Sequence, residues 1–366
     1  NGQLLALGNA GTTGGPGGSG GSIWIDTGTI NGTGIINADG GNGTSDIGRN
    51  GGGGSGGRIA IYYEGGDYGV GDYAHTHSYG GSGSGTGSYG GPGTLYTEIK
   101  GVDILRGGRL YIDNNNHNAS QAGLISGTYQ FDKIYLKRYG HLRIIGINST
   151  LMITGEGGID GDSTKPLISV EGTLNIPAAF VVNAVTLDVI GDLSGGSSMI
   201  VGSGTLPAEV DLYAYTAKRQ ITKPSTINIY PFNNIEVKNL GTLKLAPYNN
   251  GNPSYTDDYG IDLVAENLTV APGGVIHSNY LGYPASVGPG MASGCGGDSG
   301  AGGSYGGYGG TGVAFSGYAP YGSYKEPVSL GSGGCGTTGG GGVIKLTVSG
   351  ILTVNGTVSA DGSGGG

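Results

Sequence analysis

Apolar and polar residues alternate over short runs along most of this chain, and glycine or a polar residue separates one run from the next. A typical run near the C-terminal end has apolar residues at Leu346, Val348, Leu352, Val354 and Val358, with glycine at positions 350 and 356. A period of two indicates half-buried strands, and the glycines mark tight turns between them. The pattern therefore predicts an all-β protein built from many short strands.

One stretch of this pattern is repeated position for position. The first copy has Phe131, Ile134, Leu136, Tyr139, Gly140, Leu142 and Ile144, the second has Phe232, Ile235, Val237, Leu240, Gly241, Leu243 and Leu245, and a looser third has Leu268, Val270, Gly274 and Ile276. Two apolar strands around a corner glycine suit a coiled sheet, in which each turn stacks its inward side chains on the turn below. The repeat favours a parallel β-solenoid. A β-sandwich remains the alternative, because alternation alone does not fix parallel pairing.

Glycine content divides the chain into four stretches. Residues 1–100 alternate glycine tracts with short strands, 101–285 are solenoid rungs, 286–342 are a glycine- and tyrosine-rich excursion, and 343–366 are terminal rungs that continue into a next unit. Strands are predicted directly after glycine tracts at 22–30, 58–63 and 94–99. Residues 194–226 fit the rhythm poorly and include two prolines, so an irregular loop or a helix fragment is predicted there.

Within the glycine tracts, other residues recur at every third position. Examples are Thr13, Pro16, Ser19 and Ser22, then Tyr305, Tyr308 and Thr311, then Ser332, Cys335 and Thr338. Three residues per turn is the repeat of the polyproline II helix, whose glycine edges let neighbouring helices exchange backbone hydrogen bonds. The tracts therefore predict polyglycine II-like bundles, with a flexible linker as the alternative. The helix over 302–312 would align Tyr305, Tyr308 and Thr311 on one edge, about 9 Å apart, as a candidate binding surface.

Composition and charge exclude several partners. The 366 residues include 86 Gly but only 4 Phe and 1 Trp, and the net charge is −9 with a pI near 4.9. Nucleic-acid binding needs clustered Lys and Arg, which this chain lacks. It contains no run of 18 apolar residues, so no membrane span is predicted. A start at Asn1 without Met favours a mature product or an excised fragment.

The two cysteines, Cys295 and Cys335, flank the glycine-rich excursion. A disulfide between them would close a loop of about 40 residues and contribute about 4 kcal/mol. Such a bond indicates an oxidising, extracellular setting. Two free buried thiols are the alternative.

Paired carboxylates are the candidates for catalysis, because solenoids of this kind include enzymes that cleave polysaccharides. Asp160 and Asp162 would share one strand face, and Asp257 adjoins Asp258. No Lys or Arg stands at a rung spacing that would face the first pair, and Gly-Ile-Asp-Gly-Asp is ordinary turn sequence. We predict no enzymatic activity and no catalytic residues.

Metal-binding and glycosylation signals are weak. His75 and His77, with Asp72 nearby, offer too few ligands for a predicted metal site. The stretch 40–46 resembles a calcium-binding solenoid repeat but has one extra residue, so no cofactor is predicted and calcium stays open. Asn-x-Ser/Thr sequons, candidates for glycosylation, occur at Asn31, Asn42, Asn118, Asn148, Asn267 and Asn355.

Four segments carry a resemblance to a known class of proteins. They are Gly-Gly-Ser-Gly-Gly-Ser-Ile-Trp-Ile (17–25), Ile-Asn-Ala-Asp-Gly-Gly-Asn-Gly (36–43), the glycine tract and strand at 51–63, and Ile-Leu-Thr-Val-Asn-Gly-Thr-Val-Ser-Ala-Asp-Gly (351–362). Together they resemble large, repetitive, adhesin-like cell-surface proteins of bacteria and archaea, with tracts similar to the polyglycine II bundles of phage tail-fibre adhesins. The resemblance implies an extracellular structural or adhesive role and supplies no catalytic residues.

These observations predict a structural unit of a surface filament, sheath, stalk or long adhesin. Its two ends would rebuild the glycine-strand composite when joined, so we expect head-to-tail stacking of copies or tandem repeats. One alternative is an adhesin that contacts surface glycans through its tyrosine-rich glycine bundle. A second is a polysaccharide-degrading β-helix enzyme.

Overall fold

The computed structural model describes residues 2–71, 73–119, 123–214, 228–250, 258–296, 299–312 and 315–364. The chain forms two compact units. Unit 1 contains residues 1–187, 192–196 and 206–208, and unit 2 contains 188–191, 197–205 and 209–366. The protein is all-β, as predicted, and the described residues include no helix.

The strands are short and most contain two to six residues. The first half has β1 (Gln3–Leu5), β2 (Ser22–Asp26), β3 (Ile35–Asn37), β4 (Ser45–Asp46), β5 (Arg49–Asn50), β6 (Arg58–Tyr63), β7 (Thr76–His77), β8 (Thr94–Ile99), β9 (Arg109–Asp113), β10 (Gly123–Ile125), β11 (Thr128–Phe131), β12 (Lys133–Lys137), β13 (His141–Ile144), β14 (Thr150–Ile153), β15 (Ile159–Asp160), β16 (Leu167–Val170), β17 (Thr173–Ile176) and β18 (Ala179–Asn183). The second half has β19 (Thr186–Val189), β20 (Asp192–Gly195), β21 (Ser198–Val201), β22 (Ala208–Tyr213), β23 (Asn228–Val237), β24 (Gly241–Ala246), β25 (Ile261–Val270), β26 (Val275–His277), β27 (Cys295–Gly296), β28 (Ser299–Gly300), β29 (Lys345–Val348), β30 (Leu352–Val354) and β31 (Thr357–Ser359). The predicted strands at 58–63 and 94–99 are confirmed as β6 and β8, and the one at 22–30 is confirmed but ends at Asp26.

Strand pairing in unit 1 is mostly parallel, and from β9 to β18 each strand pairs with the third strand after it. The sheets run β2-β6-β8-β9-β12-β15-β18, β10-β13-β16, β11-β14-β17-β20 and β1-β3-β7. The pair β8–β9 is antiparallel, and β4 and β5 form a separate antiparallel pair. From β9 to β18, successive strands thus fall on three different sheets and return to the first after three steps.

In unit 2, alternate strands from β21 to β26 pair instead. Its sheets run β21-β23-β25-β29 and β22-β24-β26-β31, and β27 pairs with β28. The long strand β25 pairs in parallel with both β29 and β30. The predicted internal repeat is confirmed, because β12 and β13 in unit 1 have the same pattern of buried apolar residues as β23 and β24 in unit 2.

A corner with the same geometry joins the strands of both copies. Tyr139 and Leu240 have φ of 63° and 60°, a left-handed conformation that non-glycine residues rarely adopt. The glycine that follows each of them approaches the preceding turn closely. A Cβ on Gly140 would lie 2.4 Å from the carbonyl oxygen of Ile112, and one on Gly241 would lie 2.3 Å from that of Val201. Glycine is therefore required at these corners for space.

Glycine-rich segments of unit 1 pack together through backbone hydrogen bonds that recur every third residue. We call this the glycine bundle; it contains segments 6–12, 15–21, 38–44, 51–57, 78–84 and 87–93. Segment 15–21 donates from Gly17 and Gly20 to the segment at 51–57, at 2.9 Å each. Gly54, in turn, donates to Gly41 at 2.9 Å, within an antiparallel pair of segments. Each inner segment thus forms backbone hydrogen bonds with several neighbouring segments, whereas a strand within a sheet forms them with only two neighbouring strands.

The close spacing of these segments excludes side chains from the bundle interior. A Cβ on Gly54 would lie 2.0 Å from the carbonyl oxygen of Gly18, and one on Gly53 would lie 1.9 Å from that of Gly81. The residues predicted to point outward at every third position, such as Pro16 and Ser19, are exposed. Bare backbone on the inner edges explains why these tracts contain so much glycine.

Three sequence-based predictions about local structure are wrong. Residues 194–214 are not an irregular loop or a helix, because the end of β20, β21 and β22 together occupy more than half of them; alternating apolar residues outweigh the local proline there, and 215–227 lie outside the described residues. The run 302–312 is not one threefold helix. Gly302 donates to Gly310 at 2.9 Å, whereas eight residues of polyproline II would span about 25 Å. The run 332–338 also reverses, with Gly334 donating to Thr338 at 3.0 Å.

Candidate functional site

A groove lined by aromatic side chains lies on unit 1. Strands β2, β6 and β8 run parallel in register, so Trp24, Ala60 and Tyr96 occupy equivalent positions across the three strands. The small Ala60 leaves space between the two large rings. The side chain of Trp24 is 74% exposed, although apolar neighbours on either side of it in β2 point inward.

The rings form a continuous series. The Trp24 and Tyr62 ring centroids are 5.6 Å apart in a stacked arrangement, and Tyr62 is 5.6 Å from Tyr96. The series continues from Tyr96 to Phe131 at 6.1 Å. The groove has a volume of about 480 Å³ and is lined by Ser22, Ile23, Trp24, Arg58, Ile59, Ala60, Tyr62, Thr94, Tyr96, Leu110, Thr128, Tyr129, Gln130 and Phe131. That volume is typical of small-molecule sites, which range over about 300–1,000 Å³.

Polar groups surround the ring edges. The Tyr96 hydroxyl donates to Glu98 and accepts a hydrogen bond from the backbone of Gly108 at 2.9 Å, which fixes the ring. Lys100 pairs with Asp26. Burial raises the pKa of Tyr62, and the nearby carboxylates of Glu98 and Asp26 raise it further. The hydroxyl groups of Tyr62 and Tyr96 are therefore protonated at ordinary pH and act as neutral hydrogen-bonding groups.

The predicted binding surface at Tyr305, Tyr308 and Thr311 is not a flat row of side chains. Tyr308 is 77% exposed and Thr311 is exposed, but Tyr305 is half-buried and packs on Tyr321 with ring centroids 5.1 Å apart. The chain reversal between positions 302 and 310 separates their environments. A role for these residues in glycan binding stays a prediction.

Cys335 is disulfide-bonded, and the side chain of Cys295 lies outside the described part of the chain. The sequence contains no further cysteine, so we expect the Cys295–Cys335 pair. Mass spectrometry after alkylation without reductant should find no labelled thiol, and prior reduction should label both cysteines. Two labelled thiols in the unreduced protein would contradict the pairing.

The carboxylates and histidines considered for catalysis or metal binding take part in local contacts. Asp162 accepts hydrogen bonds from the backbone of Arg138 and from Thr164, and Asp160 accepts one from Asn183. The expectation that no Lys or Arg faces this pair is wrong, because β12 pairs with β15 and brings Lys133 to 3.7 Å from Asp160. His77 lies 3.0 Å from Asp39. Asp72 and Asp257 lie outside the described residues, and Asp258 accepts a hydrogen bond from Tyr283. Where the structure describes side chains, no group of three or more His, Cys, Asp or Glu could hold a metal ion.

The candidate glycosylation sites differ in environment. Asn118, Asn148 and Asn355 are exposed. The side-chain oxygens of Asn31, Asn42 and Asn267 instead accept backbone hydrogen bonds from Asp67, Ser82 and Ile351. The amides of Asn31, Asn42 and Asn267 therefore link neighbouring turns of the chain. We predict glycosylation more readily at Asn118, Asn148 and Asn355.

A buried ion pair lies on β22 and β24 of unit 2. Lys244 donates to Oδ2 of Asp211, whose side chain is 6% exposed, and the ammonium lies 5.8 Å from the centre of the Tyr213 ring. The other oxygen of Asp211 is buried without a hydrogen-bond partner. Burial raises the pKa of Asp211 to about 6, against the lowering effect of Lys244. The strand pattern gave no sign of this pair, because outward strand residues are usually solvated.

Comparisons of this chain with protein-family models, with curated proteins and with solved structures found no match. The resemblance to repetitive cell-surface proteins therefore stays a prediction. Over the ranges that the structure describes, no helix is long and apolar enough to cross a membrane.

The aromatic groove was missed in the sequence, although a signal for it exists. Trp24, Tyr62 and Tyr96 each stand at an outward position of a strand that follows a glycine tract. Aligning those three strands by the end of each tract places Trp24, Ala60 and Tyr96 together.

Proposed function

We propose that this chain is a rigid, non-enzymatic structural module of an extracellular filament, sheath, stalk or long adhesin. The observation that carries the proposal is the in-register parallel pairing of every third strand from β9 to β18, together with a bundle of glycine segments bonded every third residue. Both arrangements use backbone hydrogen bonds in long ladders and bury few charges. Such ladders suit a load-bearing material better than a mobile catalytic site.

The parallel pairing supports closure of the strands into a β-solenoid, since three sheets visited in rotation are the pattern that a coiled chain produces. The glycine bundle supports a polyglycine II assignment. Its hydrogen bonds recur at three-residue intervals, and its outward residues are exposed at the same interval. The disulfide at Cys335 supports an oxidising location outside the cell.

Exposed apolar residues on strands that pair on one side only support self-association. Leu4 on β1 of unit 1 is 51% exposed, and Leu352 on β30 of unit 2 is 49% exposed. Contacts between such different surfaces of successive copies or tandem repeats do not close and so extend into fibres. Stacked rungs would cover these side chains and pair the strand edges.

Light scattering and electron microscopy over a range of protein concentrations test this association. We expect concentration-dependent linear oligomers, and we expect Leu4→Lys or Leu352→Lys to weaken them. A chain with Leu4→Lys and Leu352→Glu should regain part of the association, because its two surfaces carry opposite charges.

The matched control is Ile47→Lys in the turn between β4 and β5, where the side chain is 98% exposed but lies on no outer strand. This variant should assemble like the unaltered chain. A monomer at every concentration would contradict head-to-tail stacking, as would equal effects of all three lysine substitutions.

A further inference from the structure

We propose that the aromatic groove of unit 1 binds a neutral glycan chain, with Trp24 and Tyr62 as stacking surfaces. The site is separate from the tyrosine-rich segment of unit 2, and its function does not depend on self-association. The shape of the groove, the exposure of its rings and the balance of its charges all favour such a ligand.

The rings present a surface that fits sugar rings. Aromatic faces carry negative charge density and attract the partly positive C–H groups on the flat face of a pyranose. Trp24, with 74% of its surface exposed, is the most accessible ring of the series, and Tyr62 stacks beside it. A stacked pair elsewhere in unit 1 is less exposed than Trp24. The ring centroids of Tyr111 and Tyr135 are 4.9 Å apart, and both side chains are only partly accessible to solvent.

Polar groups in the lining match the hydroxyl groups of a sugar. Thr94, Thr128 and Gln130 line the groove together with the aromatic rings. Neutral hydroxyls and amides can donate and accept hydrogen bonds, as sugar hydroxyls do. The amide of Gln130 donates to the carbonyl oxygen of Leu105 at 2.8 Å, so its own oxygen and the two threonine hydroxyls are the groups that face a ligand. An entirely apolar ligand, such as a lipid chain, would remove water from these groups without replacing its hydrogen bonds, at a cost in affinity.

The charges near the groove balance. Asp26 is paired with Lys100, Glu98 accepts a hydrogen bond from Tyr96, and Arg58 lines the groove. No single sign dominates, so a polyanionic glycan gains no general attraction. The geometry therefore favours an uncharged chain over a uronic-acid polymer or a nucleic acid.

Trp24 is the only tryptophan in the chain, so its fluorescence reports directly on this groove. The intact protein would be titrated with cello-, xylo-, chito- and malto-oligosaccharides, with an oligogalacturonate as the charged counterpart. We expect a saturable blue shift with at least one neutral series, because a stacked sugar removes water from the indole. The charged oligomer should bind more weakly than the neutral ligand.

Substitutions separate ring stacking from a structural role. Tyr62→Ala should weaken binding about tenfold, as expected when one aromatic contact is lost. Tyr62→Phe retains the ring and should bind within about threefold of the unaltered protein, because only a neutral hydroxyl is lost. Trp24→Ala, followed by calorimetry, should abolish measurable binding. Tyr308→Ala, at an exposed tyrosine of unit 2, is the matched control and should leave binding unchanged.

Three results would overturn the proposal. One is the absence of a saturable shift across all neutral oligosaccharides. Another is a shift caused only by lipid vesicles, by an apolar peptide or by raising the protein concentration. The third is equal binding by the Trp24→Ala variant and the unaltered chain. Because the titration is run at fixed, low protein concentration, failure of glycan binding is distinguishable from failure of assembly.

Discussion

Replacing Gly54 with alanine is expected to destabilise unit 1 by about 3 kcal/mol or more. The added Cβ would lie 2.0 Å from the carbonyl oxygen of Gly18 and 2.4 Å from its carbonyl carbon. Backbone atoms held by neighbouring segments cannot move as a flexible side chain can. Overpacking of this kind costs about 1–3 kcal/mol, and each hydrogen bond broken by separation of the segments adds about 0.5–1.5 kcal/mol. Denaturant unfolding followed by Trp24 fluorescence would measure the loss in unit 1.

Gly52, two residues earlier in the same segment, supplies the control. The nearest atom to a Cβ added there would be the carbonyl oxygen of Ser88, at 3.5 Å, an ordinary contact distance. Gly52→Ala should change the free energy of unfolding by less than about 1 kcal/mol, and the lower entropy of the unfolded chain favours a small gain. Equal effects of the two substitutions would show that the bundle is not packed as described.

Replacing Lys244 with methionine is expected to destabilise unit 2 by about 3–5 kcal/mol near neutral pH. The substitution keeps the length of the side chain but leaves the carboxylate of Asp211 buried without a counter-charge, which is among the costliest single changes in proteins. Asp211 already has one oxygen without a partner. Hydrogen exchange at β22 and β24 would measure the loss in the affected strands.

The loss of stability caused by Lys244→Met should depend on pH. Burial raises the pKa of Asp211 above its ordinary value, to about 6. The folded state therefore holds this proton more tightly than the unfolded state, and the contribution of Asp211 to stability falls as pH rises between about 4 and about 6. Without the lysine the pKa rises further, so the deficit of Lys244→Met should be smaller at acidic pH than at pH 7.

An exposed ion pair at the end of β23 provides the comparison. Lys238 and Glu236 lie 3.8 Å apart, and both side chains are more than one-third exposed. Lys238→Met should cost less than about 1 kcal/mol at any of these pH values, because solvent screens the pair. A similar loss from both lysine substitutions would contradict the importance assigned to burial.

The strands could be predicted from the sequence because period-two alternation is a local property. The strands at 58–63 and 94–99 and the duplicated corner at Gly140 and Gly241 all depend on residues close together in the chain. The period of three was also readable at Pro16 and Ser19, where the outward residues are exposed. Spacing alone, however, does not say where a glycine tract reverses. The reversals within 302–312 and 332–338 depend on partners elsewhere in unit 2.

The candidate site was harder to predict because it depends on register between strands. Trp24 and Tyr96 are 72 positions apart, and only parallel pairing through β6 brings them to one groove. The prediction at Tyr305 and Tyr308 used spacing within one segment and therefore missed the reversal that places Tyr305 against Tyr321. Side chains that meet through pairing of distant strands leave no local pattern.

Hydrogen bonds at every third residue also restrict how the glycine bundle can change in length. Inserting one residue into segment 51–57 would turn every following position by a third of a helical turn. The serine at position 55, now exposed, would then point toward a neighbouring backbone. An insertion or deletion of three residues restores the original orientation. Natural variants of these segments are therefore expected to differ in length by multiples of three, whereas the surface turn between β4 and β5 is free to change by single residues.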